Sequence, residues 1–265
     1  MNFNLQTHDG FQLFGQYSPI DNAKGTLVFS HGFVEYSAHY SRIAKLFNDH
    51  GYNLLKYDIR GHGRSSAPLD SVTSYTIFAD DLSAMVHWAK QQAPDLPVFV
   101  MGFSLGGMIT ALYSLLNPYE TQGQILLGPG LKGSKKFLNY TRETLSILDF
   151  LDIMGTQGDE GIRQLVQMDS PHVLKSVPST FARQAFYAAQ EYIWENVSSI
   201  RISTLIIHGQ NDPMISVQSS ETFYDSIASI DKTLEIIEEG EHDLLRTRFS
   251  EGVIRMISIW CDQRL

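Results

Sequence analysis

The clearest signal in the chain is a set of short, continuously apolar runs separated by helix-spaced patterns. Thr26–Ser30, Tyr52–Tyr57, Val98–Met101, Ile125–Leu127 and Leu205–Ile207 are such runs. Each is too short for a helix and too apolar for a strand with a wet face. Such runs suit strands of a mainly parallel sheet covered on both sides. Leu234–Ile237 is a weaker sixth member. Ahead of them, Phe3–Thr7 and Phe11–Tyr17 flank Asp9-Gly10, which predicts a hairpin. Between the runs, apolar residues recur at helical spacing. Tyr40–His50 is stopped by Gly51, Ile77–Gln92 carries Phe78, Leu82, Met85, Val86 and Ala89, and Ser104–Leu116 ends before Pro118. Val217–Ile230 and Leu245–Trp260 complete the series. Strand followed by helix, repeated, predicts a three-layer α/β domain.

The rhythm breaks between Leu127 and Thr204. Phe137–Met154, Gly161–Met168 and Ser179–Asn196 read there as helices. The stretch is too long for an ordinary loop, and it follows a strand, where open α/β sheets carry their sites. Residues 129–199 are therefore expected to form a helical cap, inserted in a core made of residues 1–128 and 200–265. Within the cap, Phe137, Leu138, Tyr140, Leu145, Leu148, Leu151 and Met154 form a broad apolar face, preceded by Lys135 and Lys136. A face of this kind packs onto a core. It also suits a lid that touches acyl chains or a lipid surface, and the two roles are compatible.

Composition narrows the field. The 265 residues can bury a sizeable core without a disulfide or metal. A net charge of −9 argues against nucleic-acid binding and against anchoring on anionic lipid by charge alone. The single cysteine, Cys261, lies in an apolar helical pattern and reads as a packed thiol. One cysteine and a polar N-terminus without a signal-peptide pattern fit a reducing, cytoplasmic setting. No apolar stretch reaches the length of a membrane span.

The chemistry is carried by Gly102-Phe103-Ser104-Leu105-Gly106, a G-x-S-x-G that follows an apolar strand and opens a helix. That setting is a nucleophile elbow, with Ser104 held on a sharp turn and glycines giving the room. Serine needs a base. His242, in Gly240-Glu241-His242-Asp243, follows the last strand and fits the part. His31, His62 and His208 stand at strand ends beside glycine and read as loop-shaping; His8, His50, His87 and His172 fall on surface or helix positions. The base needs a carboxylate to orient it. Asp212, in His208-Gly209-Gln210-Asn211-Asp212-Pro213, completes the order Ser, Asp, His. Its plain alternative is a cap for the following helix, and Asp58 is the rival acid. The oxyanion hole is expected to use the backbone N–H groups of Leu105 and Phe33. Substrate-binding residues are not legible, and this chemistry calls for no metal or organic cofactor.

These motifs, together with His31-Gly-Phe-Val-Glu35-Tyr36-Ser-Ala-His39-Tyr40 and Asp58-Ile-Arg60-Gly-His62-Gly-Arg-Ser65, resemble those of monoacylglycerol lipases and lysophospholipases. The likeness covers nearly the whole chain outside the cap. It implies the α/β-hydrolase fold and an acyl-enzyme mechanism on a monoacylglycerol or lysophospholipid. A general carboxylesterase, a thioesterase, a C–C hydrolase or a low-turnover receptor that keeps the triad are the alternatives. Two residues depart from the family pattern: Tyr36 stands in place of His, and His39 in place of Arg.

Overall fold

The computed structural model describes residues 1–154 and 174–265. The expected helix at Gly161–Met168, and His172, lie outside the described residues. The chain opens with β1 (Asn2–Gln6) and β2 (Gln12–Ser18), then β3 (Gly25–Ser30), α1 (Ser41–Asp49), β4 (Tyr52–Tyr57), α2 (Thr76–Gln92), β5 (Val98–Phe103), α3 (Leu105–Leu116) and β6 (Gly123–Leu127). The segment expected to be a cap follows, with β7 (Thr144–Ser146), α4 (Ile147–Met154) and β8 (Ser176–Pro178). It ends in α5 (Ser179–Arg183), a π-helical turn (Gln184–Ala188) and α6 (Ala189–Glu195). Then come β9 (Thr204–Gly209), α7 (Val217–Ser226), β10 (Lys232–Ile237) and α8 (Ser250–Asp262).

Eight strands form one sheet in the order β1-β2-β4-β3-β5-β6-β9-β10. The β1–β2 and β2–β4 pairs are antiparallel and all the others parallel. The strand alternation explains why the apolar runs lack a polar face. Val28, Val100, Leu126 and Ile206 point to one side, into a core shared with α2 and α3. Their neighbours Leu27, Phe29, Phe99, Met101, Ile125, Leu127, Leu205 and Ile207 point to the other, against α1 and α8. The α/β-hydrolase architecture expected from the sequence is the one observed.

From β3 the chain goes to β4 on one side and then returns to β5 on the other. The loops after β3 and β5 therefore leave the sheet in opposite directions, the switch point where open α/β sheets place their sites. Both loops carry residues singled out above.

The segment between β6 and β9 differs in detail from its expectation. Phe137–Met154 is not one helix: a 3₁₀ turn (Lys135–Asn139) is followed by β7 and α4. β7 pairs antiparallel with β8, with Leu145 opposite Val177, and Ser179 N–H donates to Glu143 O at 2.8 Å. Those distant partners satisfy backbone groups that a continuous helix would have paired internally. Phe137, Leu145, Ile147, Phe150, Leu151, Phe181 and Phe186 are buried in the same core as α2 and α3. Leu138 and Leu148 remain exposed, at 46% and 54%.

Two helix ends also moved. Leu245–Trp260 was expected as a helix, but α8 starts only at Ser250, because Asp243 Oδ1 accepts from the Leu245 and Arg246 N–H groups and holds a turn there. Val217–Ile230 ends at Ser226, where Lys232 Nζ caps Tyr224 O and Ile227 O at 2.7 and 3.1 Å.

Candidate active site

Ser104 sits between β5 and α3 with φ 54° and ψ −114°, a left-handed conformation that costs a non-glycine residue roughly 1–3 kcal/mol. Backbone bonds hold it there. Its N–H donates to Leu127 O at 3.0 Å, and its carbonyl accepts from Gly130 N–H at 2.9 Å and from Met108 N–H at 3.1 Å. The flanking glycines are required by contact. A Cβ on Gly102 would overlap the Gly106 carbonyl, and one on Gly106 would overlap the backbone of Ser30 and His31. Gly106→Ala is accordingly expected to cost about 3 kcal/mol or more, since backbone has no room to give. Gly252→Ala is the control: nothing lies within 4 Å of its would-be Cβ, and it sits inside α8, so a gain of roughly 0.5–1 kcal/mol is expected. Urea denaturation of both variants checks the pair.

His242 follows β10 and is 8% exposed. Its Nδ1 donates to Asp212 Oδ2 at 2.6 Å, which leaves Nε2 with a free lone pair, the tautomer a general base needs. The ring packs on Phe103, next to Ser104, with centroids 4.8 Å apart. The Cβ position of Gly128, after β6, is 3.4 Å from His242 Nδ1 and 3.5 Å from Asp212 Oδ2. The end of β5 and the loops after β6, β9 and β10 thus meet around His242. Asn211 N–H donates to Gly240 O at 2.7 Å and ties the loops of Asp212 and His242 together.

The Asp212 side chain is fully buried and its two oxygens have different partners, neither of them the N-terminus of α7, whose cap position is Ser216. Oδ1 accepts from Met214 and Ile215 N–H at 2.8 and 2.9 Å, shaping the turn before α7, while Oδ2 faces the histidine. Burial alone would raise its carboxyl, but the hydrogen bonds from His208 and His242 outweigh burial and hold it well below the usual carboxylate range. The bond from His208 was missed in the sequence. Its Nε2 donates to Asp212 Oδ2 at 3.0 Å and to Ile215 O at 2.9 Å, and its Nδ1 accepts from the buried Ser220 hydroxyl at 2.7 Å. His208 and Asp212 are only four residues apart, and the turn between β9 and α7 folds back to bring them together with Ile215 and Ser220.

The rival Asp58 is occupied elsewhere: Oδ1 accepts from Ser37 N–H and Oδ2 from Arg64 N–H, at 2.7 and 2.8 Å. Its turn shapes the β3 loop. His31 Nε2 accepts from Ile59 N–H at 2.9 Å, and its Nδ1 donates to Gly32 O at 2.7 Å. Arg60 is buried between Asp81 and Asp9 and fastens the same turn to α2 and the first hairpin. His62 Nδ1 donates to Arg60 O at 3.0 Å, so His31 and His62 both hold loop backbone in place. Burial pushes both down to about 3. Cys261 is a packed thiol, raised by burial.

Leu105 is the first residue of α3, where an N–H has no partner within the helix. Phe33 precedes Val34, whose φ is 69°. The Phe33 ring lies 4.8 Å from Phe150 and 5.0 Å from Phe186, so the segment after β6 reaches the β3 loop through aromatic contacts.

Residues 21–248 match the family described as serine aminopeptidase, S33, a family of hydrolases. The chain belongs to that family. It is similar to the monoacylglycerol lipase of Mycolicibacterium smegmatis, at 24% identity over 94% of this chain and 91% of the relative. It is 23% identical to a phospholipase of Bacillus subtilis, over 92% of this chain and 97% of that one. The solved structure of a soluble variant of monoglyceride lipase from Saccharomyces cerevisiae, in complex with a substrate analog, superposes with a TM-score of 0.78 at 20% identity, covering 98% of this chain and 94% of that one. The resemblance to monoacylglycerol lipases seen in the motifs thus extends along the whole family member. No helix among the described residues is long and apolar enough to cross a membrane.

Proposed function

We propose that this family member is a serine hydrolase of carboxylic esters, with Ser104 as nucleophile, His242 as base and Asp212 as the orienting acid. The observation that carries the reading is the His242 Nδ1–Asp212 Oδ2 hydrogen bond, with the His242 ring packed on Phe103, the residue before Ser104, which is held at positive φ. Ser104 Oγ attacks the ester carbonyl carbon and passes its proton to His242 Nε2. The carbonyl π pair moves to oxygen, where the Phe33 and Leu105 N–H groups receive it. The intermediate collapses, the alkoxide leaves, and His242 delivers the proton to it. Water, deprotonated by His242, then releases the acid and restores Ser104. Asp212 stays ionised throughout and stabilises the imidazolium.

The substrate class we propose is a monoacylglycerol or lysophospholipid. The names of the relatives support it, and so does the aromatic wall that Phe150 and Phe186 build against Phe33. In this reading residues 129–199 act as the cap, with the exposed Leu138 and Leu148 available for peripheral contact with a lipid surface.

The test is hydrolysis of a matched long-chain monoacylglycerol, a lysophospholipid, p-nitrophenyl butyrate and an aminoacyl p-nitroanilide, with Ser104→Ala alongside. Fastest Ser104-dependent turnover of a long-chain lipid is expected. Preference for the short ester makes the protein a general carboxylesterase, and preference for the anilide makes it an aminopeptidase. The rate must also fall on the acid side, because a proton on Nε2 removes the lone pair that accepts from Ser104. His31 and His62 stay neutral down to about pH 3 and His39 to about pH 4, where burial holds them, so an acid limb above pH 5 does not come from them. A flat profile there contradicts a histidine base.

A further inference from the structure

The hydrolytic reading leaves an ion cluster beside His242 without a role. Glu35 lies in the β3 loop, two residues beyond Phe33, and is 4% exposed. Its carboxylate accepts from the Tyr40 hydroxyl and from the Arg246 guanidinium. Arg246 belongs to the other loop, four residues beyond His242. Its Nε donates to Asp243 Oδ2 at 2.5 Å, and its guanidinium carbon lies 4.9 Å from the centre of the Tyr40 ring. A guanidinium presents a rigid fork of donors, so this contact fixes orientation as well as distance. It clamps together two loops that are 211 residues apart in sequence.

The same cluster accounts for the departure at position 39. His39 stands where the resemblance calls for a cation, and burial, aided by the charge of Arg246, pushes it down to about 4. His39 is thus neutral, and the positive charge enters from the histidine loop instead. Burial pushes the Glu35 carboxyl up, and the charge of Arg246, the Tyr40 hydroxyl and, least, the charge of His242 pull it back down.

We propose that Arg246 and Glu35 are positioning residues for ester hydrolysis: their ion pair locks the oxyanion loop against the histidine loop and sets the electrostatic field at His242. This rests on the hydrolase reading above. Asp212 bonds the imidazole from the β9 loop, Glu35 bears on it only through charge from the β3 loop, its own loop carries Glu241, Asp243 and Arg246, and the end of β5 presents the apolar ring of Phe103.

Opposite charges at one site give opposite effects. In Glu35→Gln an anion is lost, imidazolium is less favoured, and the acid limb of kcat/KM moves to lower pH. In Arg246→Met a cation is lost and the limb moves to higher pH. About half a pH unit each way is expected for partly screened charges of this kind. Arg246→Lys keeps the charge and loses the fork, so its limb stays in place while kcat falls about tenfold at unchanged KM. The profiles are read with p-nitrophenyl butyrate, and the same titrations are followed without substrate in the ¹⁵N imidazole resonances of His242. A merely structural pair lowers stability and rate in all three variants without opposed displacement. Displacements of the same sign, or none, overturn the proposal. If Arg246→Met does not fold, an unmoved limb in Glu35→Gln or an unchanged kcat in Arg246→Lys overturns it equally. Wild-type protein without Ser104-dependent turnover sinks the hydrolase reading, whereas turnover without the opposed displacements sinks this one alone.

Discussion

Replacing Ser104 by alanine is expected to lower ester turnover by roughly 10⁴-fold or more, while the fold stands. Activity falls because the attacking oxygen is gone and the remaining oxyanion donors and binding contacts supply only residual rate. The fold stands because everything that holds residue 104 is backbone. Its N–H goes to Leu127 O, and its carbonyl receives Met108 and Gly130. Alanine keeps all three bonds and the same φ of 54°, so the urea midpoint moves by no more than about 0.5 kcal/mol equivalent. Ser104→Gly sharpens the point. Glycine accepts positive φ freely, so this variant is expected to be more stable than the parent by about 1 kcal/mol, and equally inactive. A residue whose loss stabilises the protein and abolishes its chemistry is held for chemistry.

Asp212→Asn is expected to lower kcat by about 10⁴-fold, and the hydrogen bonds around the carboxylate show why. Met214 and Ile215 N–H groups both point at Oδ1, so an acceptor must stay there. The asparagine oxygen takes that place, and its NH₂ falls where Oδ2 was, facing His242 Nδ1. The imidazole then accepts at Nδ1 and carries its proton on Nε2, the wrong tautomer for taking one from Ser104. His208 meets the same NH₂ with its own Nε2 and must change tautomer too. Turning the amide over instead leaves two buried N–H groups facing a donor, at roughly 1–3 kcal/mol each. The stability difference has a definite pH dependence. The folded Asp212 carboxyl lies below its unfolded value of about 3.9. Its contribution is therefore complete above that pH and is lost as the pH falls further, so the gap between variant and parent closes in acid. Asp58→Asn is the control. It disturbs the Ser37 and Arg64 backbone bonds and costs stability, but it leaves the His242 partner in place. A larger loss of kcat in Asp58→Asn than in Asp212→Asn, with both folded, contradicts the assignment.

What could be read from sequence follows from where each element finds its partners. The five apolar strands were legible because burial on both faces leaves no polar residue to interrupt the run; Val28 and Phe29 point into different cores, yet both must be apolar. The elbow was legible because its steric demands are local and fall on Gly102 and Gly106. The long helical stretch from 179 to 195 was found, but not its π turn at Gln184–Ala188. The β7–β8 ladder was not legible. Three residues with one buried side chain, Leu145, carry too little pattern, and their partners lie about 30 positions away. His208 was read as shaping a loop. Its bond to Asp212 depends on how the turn after β9 folds back. Arg246 looked like part of a helix, and its bond to Glu35 exists only because the sheet brings the loops after β3 and β10 to one edge.

The most direct test of the triad is the site of covalent capture by a fluorophosphonate, which reports an activated serine irrespective of the natural ester. Peptide mapping by mass spectrometry of the parent, Asp212→Asn and Ser104→Ala proteins, treated side by side, is the measurement. A single adduct on the peptide carrying Ser104, formed far more slowly in Asp212→Asn and absent in Ser104→Ala, is the predicted result. An adduct on another residue, or labelling of Ser104 at the same rate without the Asp212 carboxylate, contradicts the account.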